Sequence, residues 1–244
     1  MAMIFLALAA SGQQPAARFE VASVKKAESG GPPGDIPRNM DASPGHFAMR
    51  NVPMRYMLEW AYRLQDYEIA GPEWIKADDR YDILAKAAGP ATDEEMRPML
   101  QALLLERFQM KVHRETRAMT AYVLLPGKGA AKVKESAPGS DSRIIPGKNE
   151  LVTFQHFALS RLTFLLTRRM GRPVLNQTGL TGIYDYTIDI SGLSEFSGQP
   201  DPAASGMSIF SAVENDLGLK LEGRKQQPIE VLVIDAVNKV PTAN

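Results

Sequence analysis

The feature that most constrains this chain is that it states one pattern twice. Leu100 to Leu125 can be laid without a gap on Ile209 to Ile234, with apolar facing apolar at Leu100/Ile209, Leu104/Val213, Phe108/Leu217, Met110/Leu219, Val112/Leu221 and Val123/Leu232. Lys111 and Lys220 are identical under the same shift. Upstream, His46-Phe47-Ala48-Met49 recurs as His156-Phe157-Ala158-Leu159, and Tyr81-Asp82 recurs as Tyr184-Asp185. A long-period repeat sets architecture before any motif is weighed, because each copy must form the same kind of unit.

Hydrophobic period gives the content of each copy. In the first, Phe47 to Met49 reads as a strand and Met54 to Leu64 as a helix, with apolar residues at Met54, Met57, Leu58, Ala61 and Tyr62. Arg80 to Lys86 reads as a strand. Thr92-Asp93-Glu94-Glu95 is a capping box that opens a helix through Arg107, which Pro98 is expected to kink or delay. Gln109 to Glu115 and Ala121 to Leu125 read as a strand and its return.

The second copy predicts strand Phe157 to Leu159, a helix over about Ser160 to Met170, strands Pro173 to Leu175 and Tyr184 to Ile190, and a helix from Ser208 to a Gly218 cap. Strands Leu219 to Glu222 and Ile229 to Asp235 close it. The fold class is therefore α+β, an internal duplication of a β-α-β-β-α-β-β unit with helices packed on small mixed or antiparallel sheets. The expected organisation is a leader over 1–18, a first repeat over 19–125 whose extra strand is Phe19 to Lys25, a linker over 126–149 and a second repeat over 150–244. Segments 29–45, 126–149 and 191–206 are rich in Gly, Pro, Ser and Asp and read as loops.

Composition then excludes whole classes of function. With 28 basic and 28 acidic side chains mixed along 244 residues, the chain has no electrostatic footprint for nucleic acid. The absence of cysteine excludes disulfides, thiolate metal sites and cysteine nucleophiles. Met3 to Ala10 is a short apolar run ending in an Ala7-Leu8-Ala9 cleavage pattern, followed by polar Ser11 to Gln14. That is the grammar of an export signal, although it lacks a basic start, and it is too short to span a bilayer. No integral membrane span is expected elsewhere.

Chemistry-bearing constellations are sparse. His46 and His156 are accounted for by duplication, and His113 lies on the polar face of its strand; no H-E-x-x-H sequence exists, so no metal site and no cofactor is expected. Gly127-Lys128-Gly129 lacks the spacing of a phosphate loop, and there is no G-x-S-x-G elbow. No catalytic residue is assigned. Trp60, Tyr62, Tyr67 and Trp74 gather around the first helix and the following turn. Trp60 and Tyr62 read as core, leaving Trp74, in its Gly-Pro turn, and Tyr67 as the candidate binding residues.

In order, FEVASVK, the Asn51 to Tyr62 helix, GPEW, RYDILAKA, MLQALLLERF, GRPVLNQTGLTGIYDY, LGLKLEGRKQQPIEVLVID and the closing VPTAN resemble the Solibacter-type domain of unknown function, a family expanded in Acidobacteria. The resemblance runs from Phe19 to Asn244 and implies an exported bacterial protein, periplasmic or secreted. The chain departs from that pattern at Pro98 and in its leader. In element order alone, each half is also similar to the short amino-terminal domain of secretins and TonB-dependent receptors, an interaction module. The expected function is a non-enzymatic interaction or ligand-sensing module whose partner is a protein or small ligand outside the cytoplasm. The alternative is a hydrolase or other enzyme with a site in the loops around Gly45 and Gly206.

Overall fold

The computed structural model describes residues 17–27, 40–76, 79–139, 141–148, 150–192 and 208–242. The apolar run at the amino terminus and the loop containing Gly206 lie outside the described residues. The chain divides into two compact units, Met1–Glu115 together with Glu230–Asn244, and Thr116–Ile229. It passes from one to the other inside two long strands, β6 (Lys111–Pro126) and β12 (Leu219–Ala236). The architecture is α+β, as expected. No helix among the described residues is long and apolar enough to cross a membrane.

The first unit is built on an antiparallel sheet. Strands β1 (Val21–Lys26), β2 (Met40–Ser43), β3 (His46–Pro53) and β5 (Arg80–Lys86) lie in the order β1-β5-β3-β2. Helices α1 (Met54–Tyr62) and α2 (Asp93–Arg107) supply the rest of the core. Phe47, Met49, Tyr81 and Ile83 from the sheet pack with Met54, Met57 and Leu58 of α1 and with Met96, Leu100 and Leu104 of α2. Thr92 and Glu95 form the capping box: the Glu95 carboxylate accepts from the Thr92 backbone N–H at 2.8 Å, and the Glu95 N–H donates to Thr92 Oγ1 at 3.4 Å. Pro98 sits inside α2 and neither delays nor ends it. The two-residue β4 (Ile69–Ala70) pairs in parallel with Leu232 and Val233 near the end of β12.

In the second unit, β7 (Lys134–Glu135), β8 (Arg143–Pro146), β9 (Leu151–Ala158) and β11 (Ile183–Asp189) form an antiparallel sheet in the order β7-β11-β9-β8. Residues 126–149, read from composition as loop, therefore carry two of its strands. Helices α3 (Leu159–Met170) and α4 (Ile209–Leu217) pack on it, and β10 (Val174–Asn176) pairs in parallel with Tyr122 to Leu124 of β6. Gly218 caps α4 at φ +64°, the left-handed conformation that its sequence position predicts.

The two four-stranded sheets thus have the same strand order, with helices inserted at the same places in the chain. Of the six apolar pairs read from the sequence, every member is buried except the half-buried Val112, which packs against the core of the first unit. The repeated Tyr-Asp dipeptide also has a structural reason. Asn51 and His156 both hold a positive φ, +54° and +59°, where β3 and β9 lose register with their partners. The carboxylate of Asp82 accepts the Asn51 N–H at 2.8 Å, and that of Asp185 accepts the His156 N–H at 2.8 Å. Each aspartate holds a bulge whose backbone donor has left the strand ladder.

The His-Phe-Ala match is out of register: His46 opens β3 opposite Lys86, whereas His156 occupies the bulge position that Asn51 holds in the first unit. A three-residue identity is too short to fix a register that the bulge aspartates fix. The closing strand pairs are also not hairpins. Residues 111–126 and 219–236 each run as one strand, continuing through the mostly exposed residues between the expected strands. Local alternation reads the same whether a strand continues or reverses.

Candidate functional site

Strand alternation in the first unit sends Phe47, Met49, Tyr81, Ile83 and Ala85 inward, so His46, Ala48, Arg50, Leu84 and Lys86 stand on the opposite face. Asp41 and Ser43 of β2 and Val21 of β1 join them around a shallow hollow of about 450 Å³. Its apolar part is exposed, with Leu84 at 46% and Val21 at 64% of full exposure. Its polar part is assembled across strands: His46 lies directly opposite Ser43 on one side and Lys86 on the other, and Ala48 lies between Asp41 and Leu84. Such partners have Cβ atoms about 5 Å apart, close enough for one small ligand to meet several.

The hairpin that carries this face is held tightly. Gly45, at φ +76°, turns the chain between β2 and β3. Its N–H donates to the Ala91 carbonyl at 3.1 Å, and its carbonyl accepts from Ala87 at 2.8 Å. The groups on the hollow are, by contrast, open. Among the described residues, no hydrogen bond or ion pair engages the side chains of Asp41, Ser43, His46, Arg50 or Lys86. Nearby charges are closed: Lys26 and Lys239 flank Asp79 at 2.7 and 3.3 Å and hold its carboxyl below the usual range, and Lys25 lies 3.9 Å from Asp82.

The sequence-predicted binding residues lie elsewhere in this unit. Trp74 is half-buried in a 3-10 turn over Glu73–Ile75, with the Lys239 ammonium 5.4 Å from its ring centre. The same Lys239 gives its carbonyl to the Tyr81 hydroxyl at 2.7 Å, so Trp74 covers a point where the C-terminal segment is tied to the core. Burial pushes the Tyr81 phenol up to about 12. Tyr67 is half-buried in a second turn, Asp66–Glu68; its hydroxyl accepts from Gln65 Nε2 at 3.3 Å, and burial raises it well above a free phenol. No ring contact joins Tyr67 to Trp74 among the described residues. Trp60 packs on Phe47 with ring centres 4.7 Å apart and carries the Arg97 guanidinium 4.5 Å over its face.

The three histidines have three different settings. His46 is on the hollow. His156 holds a bulge, with its Nδ1 buried and without a partner. His113 is exposed on β6, its Nδ1 2.8 Å from Asp235 and its Nε2 3.6 Å from Glu115. The hydrogen bond to Asp235 raises the His113 pKa. Because the folded value lies above the unfolded one, the pair adds stability below the ordinary histidine value near 6.5, and that contribution is lost as pH rises through the folded value. An NMR titration should therefore give His113 a midpoint above the ordinary value, and Asp235→Asn should lower it; an unchanged midpoint would exclude the pairing. No group of His, Asp and Glu suited to a metal ion occurs among the described residues.

The hollow was legible in the alternation of residues 46, 48 and 50 with 84 and 86. Pairing His46 with His156 as repeat equivalents hides it, because the two histidines stand at different strand positions. The arrangement offers cations and donors for an anionic group beside an apolar patch; Ser43 and His46 are cross-strand neighbours there, and no hydrogen bond joins their side chains.

Residues 55–237, most of the chain, match the family model described as "Protein of unknown function (DUF3738)". No curated protein and no solved structure matches the chain. The chain belongs to the DUF3738 family.

Proposed function

We propose that this chain is a non-enzymatic, exported binding module that takes a small anionic ligand on the open face of its first sheet. The observation that carries the reading is the convergence of His46, Arg50 and Lys86, all without partners, beside Leu84 and Val21 around one hollow. Carboxylate or phosphate would meet the cations, Asp41 and Ser43 would select for a donor on the ligand, and the apolar patch would take its hydrocarbon part. The hollow lies within the range typical of small-ligand sites, about 300–1,000 Å³. Export rests on the apolar run Met3 to Ala10 and its cleavage pattern, and the proposed compartment is periplasmic or extracellular. Trp74 and Tyr67 are kept as a proposed second contact surface, for a protein partner, on the strength of their half-exposed rings.

The test has two arms. A reporter enzyme fused after Lys26 should be active only outside the cytoplasm; cytoplasmic accumulation of the unprocessed chain would refute export. In the second arm, succinate and inorganic phosphate are titrated into the folded protein and followed by NMR. Saturable shifts at residues 46, 50, 84 and 86 are expected, and an Arg50→Gln, Lys86→Gln variant should weaken binding at least tenfold. Shifts confined to other surfaces, or unchanged affinity in the variant, would sink the reading.

A further inference from the structure

Helix α3 of the second unit turns one face inward through Leu159, Leu162, Leu166 and Met170. The other face repeats Arg161, Phe164, Leu165, Arg168 and Arg169, so three arginines and one aromatic fall on one stripe, and a fourth arginine, Arg172, follows the Gly171 cap. All four arginines are exposed. The guanidinium of Arg161 lies 5.7 Å from the Phe164 ring centre and 6.0 Å from that of Phe157, and that of Arg168 lies 5.9 Å from the Phe164 ring centre. Stacking on a ring orients a guanidinium and leaves its N–H edges outward. Among the described residues, no carboxylate pairs with any of the four.

Helix α1 of the first unit shows that this openness is not a property of arginine in such a place. There Arg55 lies 3.7 Å from Glu59 and 3.2 Å from Asp66, Arg63 at the helix cap pairs with Glu94, and Arg97 of the neighbouring α2 donates to the Trp60 carbonyl. In a chain of zero formal charge, arginines on the first unit's helices are closed by carboxylates and carbonyls, and those on α3 are not.

We propose that the exposed face of α3 docks an acidic polypeptide segment, its carboxylates engaging Arg161, Arg168, Arg169 and Arg172. Charge complementarity selects an anionic partner, and the planar forks suit carboxylates two at a time. Within the helix the stripe runs from Arg161 to Arg169, eight residue steps or about 12 Å at helical rise, with Arg172 just past the cap, the span of a short peptide rather than of an extended polyanion field. A lipid surface is disfavoured because binding by a helix needs an apolar face to insert, and outside the inward Leu159, Leu162, Leu166 and Met170 helix α3 has only the half-buried Phe164 and Leu165 set among its arginines.

The experiment measures binding of a labelled twelve-residue peptide of alternating Glu and Gly to the full chain, against the same peptide with Gln for Glu. Phosphatidylglycerol vesicles serve as the competing surface. The Glu peptide should bind, weaken steeply with salt, shift the amides of α3, and lose at least tenfold affinity in an Arg161→Gln, Arg168→Gln, Arg169→Gln, Arg172→Gln variant. Arg63→Gln on α1 should leave binding unchanged. Equal binding of the Gln peptide, amide shifts away from α3, or capture by vesicles in preference to the peptide would overturn the proposal. The amide shifts are read on the unaltered protein, so the outcome does not depend on how the variant folds.

Discussion

Phe108→Ala should lower the stability of the first unit by about 3–5 kcal/mol, a fall of order 10 °C in melting temperature. The ring is fully buried and meets Tyr81 edge-on with centres 5.0 Å apart, so truncation removes both its burial and an aromatic contact while leaving a cavity under α2. The informative control is Phe108→Leu. The residue aligned with it in sequence is Leu217, also fully buried at the end of α4. If the two positions are equivalent, leucine should cost less than about 2 kcal/mol at Phe108. Urea midpoints for the two variants decide the matter, and equal losses would mean that the matched positions do not share a packing role.

Gly45→Ala should cost about 3 kcal/mol or more. Two terms add: an alanine held at φ +76° costs about 1–3 kcal/mol, and its Cβ would stand 2.5 Å from the Gly89 carbonyl oxygen, a backbone atom that cannot swing aside. Gly139→Ala separates them, since Gly139 has nearly the same φ, +77°, and nothing within 4 Å of an added Cβ. It should cost only the conformational part, about 1 kcal/mol. The Gly45 variant should also lose succinate binding, because the turn sets the register that places His46 opposite Ser43. A Gly45 loss no greater than the Gly139 loss would show that the turn relaxes without effect.

Periodicity carried the fold a long way. The strand Arg80 to Lys86, the capping box at Thr92, the helix running on through Arg107 and the glycine cap after α4 are all local devices, in which a residue's own conformational preference or a neighbour three positions away decides the outcome. The Tyr-Asp repeat was legible as a correspondence but not as a mechanism, since an aspartate that holds a backbone N–H about thirty residues away has no local signature. Trp74 was read as an exposed anchor from its Gly-Pro turn. The same turn places its ring against Lys239 near the end of the chain, a contact that no window of sequence contains.

The sequence by itself determined the α+β class, most of the helices and strands, and the matched burial of the repeated apolar positions, because each follows from a period or a cap that acts within a few residues. Tertiary structure alone decided that residues 111–126 and 219–236 are single strands, and that Glu230 to Asn244 belong with the first unit. It also decided that His46, Arg50 and Lys86 share one face while the arginines of α3 stand without carboxylates. These are questions of which distant backbone a strand pairs with and which distant charge a side chain meets. Alternation and composition are identical for either answer, so only the closed set of long-range contacts selects one.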